Sequence, residues 1–131
     1  MLTTENSCRS QMTEGLLRDI AGNRFKVFSA GTNPSRVHPN AIAVMKEINV
    51  DISMHTSDNI NKYIGRHIDI AINVCSNAQK DCPMFPEAVS RFHWDIKNLY
   101  PRWSLNPTSL KTFRKTRDDI KRHIENFLNT E

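Results

Sequence analysis

The sequence has no apolar run approaching the roughly 20 residues that a membrane-spanning helix requires. Its opening, MLTTENSCRS, lacks the basic-then-apolar layout of an export signal. Cysteine is scarce and odd in number, with only Cys8, Cys75 and Cys82. In a chain without an export signal this argues against a disulfide framework and for free or catalytic thiols. A large excess of one charge is lacking too: 18 Lys and Arg stand against 14 Asp and Glu, a formal net charge of +4. The densest basic stretch is Lys111, Arg114, Lys115, Arg117, Lys121 and Arg122, interrupted by Asp118, Asp119 and Glu125. No aromatic residues alternate with these bases as in single-strand binders, so the stretch reads as the solvated face of a helix. The expectation from these absences is a soluble cytoplasmic monomer that binds neither nucleic acid nor membrane.

What is present is the composition of a single globular domain, 131 residues of which 38% are hydrophobic and 24% charged. A chain of this length buries enough apolar surface to fold without metals or disulfides. Apolar periodicity predicts a helix over residues 11–21, with Met12, Leu16, Leu17 and Ile20 on one side. A short strand is expected over 25–28, then a helix opened by His38-Pro39 and ended near Asn49. Thr56-Ser57-Asp58 is expected to cap a short helix through Ile60 and Tyr63. IDIAINV (68–74) is the most strand-like run, apolar enough for a sheet covered on both faces. Residues 75–86 read as irregular and 90–94 as a last strand. Asn106-Pro107 then starts a long helix whose Leu110, Phe113, Ile120, Ile124, Phe127 and Leu128 form one stripe. Strands alternating with helices imply a parallel α/β sheet. Such folds usually begin with a buried strand, and only Met1 and Leu2 precede the first loop, so the first strand is expected to be cut short.

Chemistry-bearing residues fall in two places. Residues 3–10 (TTENSCRS) run straight into the first helix. A loop entering a helix N-terminus aims several backbone N–H groups at one point, where the dipole favours an anion, and Arg9 adds a two-pronged charge. A polar turn carrying a surface arginine is the plain alternative. Cys75 and Cys82 stand seven apart after the central strand, with Lys80 nearby to favour a thiolate. That spacing permits a bridge if the segment bends, and equally fits two inert cysteines or an incomplete zinc half-site.

Taken together, NSCRSQMTEG (6–15), SAGT (29–32), VHPNA (37–41), DIS (51–53), HTSD (55–58), Val74-Cys75, Cys82-Pro83 and His93-Trp94 occur in order over the whole chain. With these motifs the sequence resembles the thioredoxin-coupled arsenate reductases, relatives of the low-molecular-weight protein tyrosine phosphatases. The resemblance implies one domain over residues 1–131 with a four-stranded parallel sheet, helices on both faces and an oxyanion loop (Asn6, Ser7, Cys8, Arg9, Ser10) at its C-terminal edge. It also implies a relay. A loop cysteine attacks arsenate, a second at the position of Cys75 displaces arsenite by disulfide formation, and a third at the position of Cys82 takes over the disulfide. Thioredoxin then reduces it. Arg9 matches the oxyanion-binding arginine, and Ser10 the residue that lowers the nucleophile's pKa. No covalent cofactor is implied, but some members bind potassium through positions that here are Asn6, Glu14, Ser29, Thr56 and Asp58, all oxygen donors as a hard cation requires.

The departures from the pattern are specific. Thr3 stands at the nucleophile's position, while Cys8 aligns with a second loop cysteine whose family role is structural. Glu5 replaces a glycine, placing a carboxylate in the path of an incoming oxyanion. Asn98-Leu99 aligns with an Asp-Pro whose aspartate is the phosphatases' general acid. The expected function is therefore arsenate reduction impaired both by Thr3 at the nucleophile's position and by the missing first strand. The alternatives are a non-catalytic oxyanion-binding regulator and a dithiol oxidoreductase using only Cys75 and Cys82.

Overall fold

The computed structural model describes residues 2–3, 9–32, 36–74, 85–96 and 107–130. Its elements in chain order are β1 (Leu2–Thr3), α1 (Arg9–Ala21), β2 (Ala30–Gly31), α2 (Pro39–Lys46), a one-turn 3-10 helix (Ile60–Tyr63), β3 (Ile70–Asn73), β4 (Ser90–His93) and α3 (Pro107–Thr130).

α1 begins at Arg9, two residues before apolar periodicity predicts. Its first turns are polar yet buried, with Arg9, Ser10, Gln11, Thr13 and Glu14 all at or below 8% exposure. A periodicity reading counts only apolar residues, so it missed them. The helix closes on the Ala21 carbonyl, which accepts from the backbone N–H of Arg24 and Phe25. The strand expected over 25–28 is absent: these residues join no ladder among the described strands, and β2 is Ala30–Gly31 instead. Their apolar character serves burial, with Val27 in the main core and Phe25 packed beside it.

His38 caps α2, its Nδ1 accepting from the Asn40 backbone N–H at 3.0 Å, and Pro39 follows where a missing N–H does no harm. After α2 the chain turns through Asn49 at φ 62°, a left-handed conformation asparagine tolerates better than most residues. The 3-10 helix is capped by Asn59, whose side chain accepts from the Asn61 N–H, and not by Thr56-Ser57-Asp58 as expected. The Asp58 carboxylate is engaged instead by the Thr56 hydroxyl.

The sheet is parallel throughout, in the order β2-β1-β3-β4. The first strand is short and, as expected of this fold, lies inside the sheet: Leu2 pairs with Ala30 on one side and Asn73 on the other. Ile70, Ile72 and Val74 alternate onto the face that packs with α1, α2 and α3, around fully buried Met12, Val44, Ile52, Phe113 and Ile120. Ala71 points to the other face, into a smaller cluster with Ala30, Tyr63, Phe85 and Ala88.

The basic stretch on α3 is only partly a solvated face. Arg114 forks onto the Glu47 carboxylate. The Arg117 side chain is 11% exposed and donates to the Val44 carbonyl at 2.9 Å and to Glu47. These contacts pin α3 to the C-terminal end of α2, where cations complement the helix dipole. The paired guanidinium of Arg114, with that of Arg117, holds the Glu47 carboxyl below the usual carboxylate range.

Candidate active site

Because every strand is parallel, Thr3, Gly31, Asn73 and His93 end at one edge of the sheet. From β1 the chain crosses to β2 on one side and afterwards to β3 on the other. Such a reversal leaves a crevice outside the carboxyl ends of β1 and β3, the usual ligand position of open parallel sheets. The segments that leave β1 and β3 there are residues 4–8 and the segment after Val74, the two places where the sequence concentrates its chemistry.

Arg9 opens α1 directly after the first of these segments. It is 8% exposed, and its Nη1 donates to the Ile96 carbonyl at 3.0 Å, tying the start of α1 to the chain just beyond β4. The Thr13 hydroxyl closes on the Arg9 carbonyl at 2.6 Å, and Ser10 is fully buried beneath. Thr3 occupies the last position of β1, paired with Gly31. Asn6, Ser7, Cys8, Cys75 and Cys82 lie outside the described residues, as do Glu5, Lys80 and Asn98.

One helical turn further along α1, Glu14 is the centre of a buried polar cluster. Its Oε1 accepts from the Ser29 hydroxyl at 2.5 Å, while its Oε2 lies 3.1 Å from Arg18 and 3.6 Å from His55 Nδ1. Gln11 donates through Nε2 to the Thr56 carbonyl at 2.8 Å, which fixes its amide so that Oε1 faces His55 Nδ1 at 3.1 Å. That arrangement places the imidazole proton on Nδ1. Burial pushes the His55 imidazole below its ordinary value against the pull of Glu14, so the ring is neutral at pH 7. Asp58 receives the Thr56 hydroxyl at 3.0 Å and lies 3.5 Å from both Lys62 Nζ and the Tyr63 hydroxyl.

Glu14, Thr56 and Asp58 line one cavity of about 280 Å³. Ser29 reaches it through Glu14. Four of the five residues predicted to hold a cation are thus brought together, the fifth being Asn6. The donor set, two carboxylates and two hydroxyls, suits a hard monovalent cation, with Arg18 sharing the charge of Glu14. Sequence reasoning gave no role to Gln11, Arg18 or His55. The signal was available in α1, whose polar residues at spacings of three and four (Gln11, Glu14, Arg18) mark one face that an apolar pattern leaves unexplained.

The match to known proteins extends over the whole chain. Residues 1–131 match the family described as low molecular weight phosphotyrosine protein phosphatase. An arsenate reductase of Staphylococcus xylosus is 42% identical over 127 residues, covering 96% of this chain and 92% of its own length. One of Staphylococcus aureus (strain N315) is 41% identical with the same coverage. Among solved structures, an arsenate reductase in the phosphate binding state superposes with a TM-score of 0.79 at 32% identity, over 98% of this chain and 94% of that one. The chain therefore belongs to the low molecular weight phosphotyrosine protein phosphatase family and shares two-fifths of its residues with members named arsenate reductase.

Proposed function

We propose that this chain binds a tetrahedral oxyanion, arsenate or a phosphate-like anion, at the crevice between β1 and β3, within the framework of a thiol-driven arsenate reductase whose first step is lost at Thr3. The observation that carries this reading is the switch point: Arg9 heads α1 at the edge of a parallel sheet where β1 ends at Thr3 and β3 at Asn73. The relatives' names and 42% identity support it. Asn6, Ser7, Cys8, Arg9 and Ser10 form the anion loop in this reading. Reduction of As(V) to As(III) takes two electrons, which two thiolates supply as they join in one disulfide while arsenite leaves. Cys75 and Cys82 are the second and third thiols, and thioredoxin returns the two electrons. Thr3 breaks the relay at its first step, because a hydroxyl is a far weaker acid than a thiol and forms no disulfide.

Anion binding does not depend on the nucleophile, so it should survive. Phosphate, sulfate or arsenate added at constant ionic strength should raise the thermal midpoint of the chain in a concentration-dependent way. Arg9→Ala should abolish the rise, each variant being compared with its own anion-free baseline, and Arg9→Lys should keep part of it. Equal stabilisation of wild type and Arg9→Ala would remove the anion site from Arg9.

The cluster around Glu14 is the proposed potassium site, with Asn6, Ser29, Thr56 and Asp58 as the other ligands. Bound cation neutralises the buried Glu14 carboxylate and the partly exposed Asp58 carboxylate, and steadies the helix that presents Arg9. Potassium should therefore stabilise the protein more than sodium at matched ionic strength, and Asp58→Asn should erase the difference. Identical melting in the two salts would count against the site.

A further inference from the structure

The two outer strands of the sheet are unlike. At β2, Gly31 donates to the Asp58 carbonyl at 2.9 Å and bridges to Asn59, so residues 58–59 cover that side. At β4, Ser90–His93 pairs with β3, and among the described residues no strand pairs with its other side. Ser90 and Trp94 turn their N–H groups inward, onto the Asp69 and Asn73 carbonyls at 2.8 and 2.7 Å. Backbone groups alternate along a strand, so Arg91, His93 and Asp95 direct theirs away from β3. Neither lysine nor proline, two common guards of an outer strand, occurs in residues 90–96.

The side chains here form a self-complementary series. Phe92 and Trp94 lie on the α3 side, where the Phe127 ring meets theirs at 5.6 and 6.0 Å between centroids. Phe92 is nonetheless 39% exposed. Arg91, His93 and Asp95 alternate onto the other face, and all three are exposed. From Arg91 to Asp95 the order is cation, aromatic, histidine, aromatic, anion. An antiparallel copy centred on His93 sets Arg91 opposite Asp95 of the second copy, and Phe92 opposite its Trp94. Opposite residues of an antiparallel pair share a face, so each match is made on the correct side of the sheet. At this centre the positions that exchange hydrogen bonds are 91, 93 and 95, the three whose backbone points outward. Moving the centre to Phe92 opposes Arg91 to His93, and moving it to Trp94 opposes Arg91 to Lys97. The α3 layer leaves room for a neighbour: Phe127 also packs on Phe25, ahead of β2, so α3 lies over the sheet and inside the line of β4.

We infer that two copies of this chain join antiparallel through residues 91–95, about a two-fold axis at His93, into one continuous sheet. The symmetry makes the ion pair and the aromatic pair twice. It also closes the contact, so assembly stops at two copies. One strand pair with its adjoining side chains falls short of the roughly 800 Å² per partner typical of a stable complex, so the association is weak and reversible. The monomer expected from composition is the dilute form.

Sedimentation equilibrium of the intact chain at low salt should show monomer passing to dimer as concentration rises. Arg91→Asp should weaken the dimer by roughly tenfold or more, because like charges then face each other at both ends of the pairing. Asp95→Arg should do the same. The double variant, Arg91→Asp with Asp95→Arg, exchanges the two charges and should dimerise as the unmodified chain does. Hydrogen exchange of the unmodified chain provides a second reading: the amides of Arg91, His93 and Asp95 should become slower with concentration. A chain that stays monomeric at millimolar concentration would overturn the inference. So would a dimer that Arg91→Asp leaves intact, a folded double variant that stays monomeric, growth beyond two copies, or concentration-dependent protection that bypasses residues 91–95.

Discussion

Given arsenate, reduced thioredoxin and potassium, this chain should release arsenite no faster than the uncatalysed mixture, and Thr3→Cys should raise the rate by roughly 100-fold or more. A thiol near a helix N-terminus has its pKa lowered from about 8.5 into the range ~3.5–7.5 and is a thiolate at neutral pH. The threonine hydroxyl has no such route. Thr3 ends β1 in a ladder with Gly31, so a sulfur introduced there starts from a main chain already fixed beside α1. Glu5→Gly should add to the gain by clearing a carboxylate from the anion's path. Restoring aspartate at Asn98 should matter less, because disulfide exchange runs on thiolates and not on one general acid. In the Thr3→Cys background, Cys75→Ser and Cys82→Ser should each abolish thioredoxin-linked turnover. Arsenite release by the unmodified chain at the rate of Thr3→Cys would show that Thr3 is not the broken step. Anion binding without turnover in either protein would favour a regulator, and disulfide exchange that ignores arsenate would favour a dithiol oxidoreductase.

Mild acid should destabilise the protein, beginning above the pH at which free carboxylates titrate. His38 is 4% exposed, stacks on Phe113 with ring centroids 4.8 Å apart, and must keep Nδ1 unprotonated to cap α2. Burial first, and the charge of Arg36 second, push its pKa from 6.5 to about 4. The unfolded chain takes up a proton near pH 6.5 that the folded chain refuses until about pH 4, so stability falls as pH falls through that window. At 1.36 kcal/mol per pKa unit, the loss is about 3 kcal/mol, a large share of a domain's ~5–15 kcal/mol. Urea midpoints at pH 7 and pH 4.5 measure it. His38→Asn keeps a capping acceptor but nothing that titrates in this range, and should flatten most of the slope. His55, which is also pushed down, contributes to the remaining slope, and Glu47 adds to it at the acid end. Identical slopes in wild type and His38→Asn would place the acid sensitivity elsewhere.

How legible these features were in the sequence depended on what held each one in place. IDIAINV was readable because a strand covered on both faces is apolar at every position, and β3 with its two core layers bears that out. The α3 stripe was readable because one face of an amphipathic helix recurs every three to four residues, and Phe113, Ile120 and Ile124 on that face are fully buried. Residues 25–28 carry a comparable apolar run, yet they line a cavity instead of a ladder, and hydropathy does not distinguish burial from pairing. Asn59 took the cap expected of Thr56-Ser57-Asp58 because competing side-chain acceptors within three residues differ only in tertiary engagement. In the site, the polar cluster around Glu14 was legible only through resemblance: Glu14, Ser29, Thr56 and Asp58 come from α1 and two connections, and no local spacing links them. Arg117 was misread as solvated because its long stem lets it run along the α2–α3 contact and still carry a charge.

The placement of β1 also sets the order in which this chain can acquire its structure on the ribosome. Leu2 and Thr3 are made well before their neighbours Ala30, Gly31 and Asn73, so the central strand cannot be paired on both sides until Asn73 has been synthesised. The layer that seals the principal core, with Phe113, Ile120, Ile124 and Phe127, is made last. Pairings this distant in sequence are slow to form, and partly made parallel sheets leave adhesive apolar surface in the meantime. Shielding of residues 2–73 during translation should therefore affect the yield of native protein alongside the stability of the finished fold.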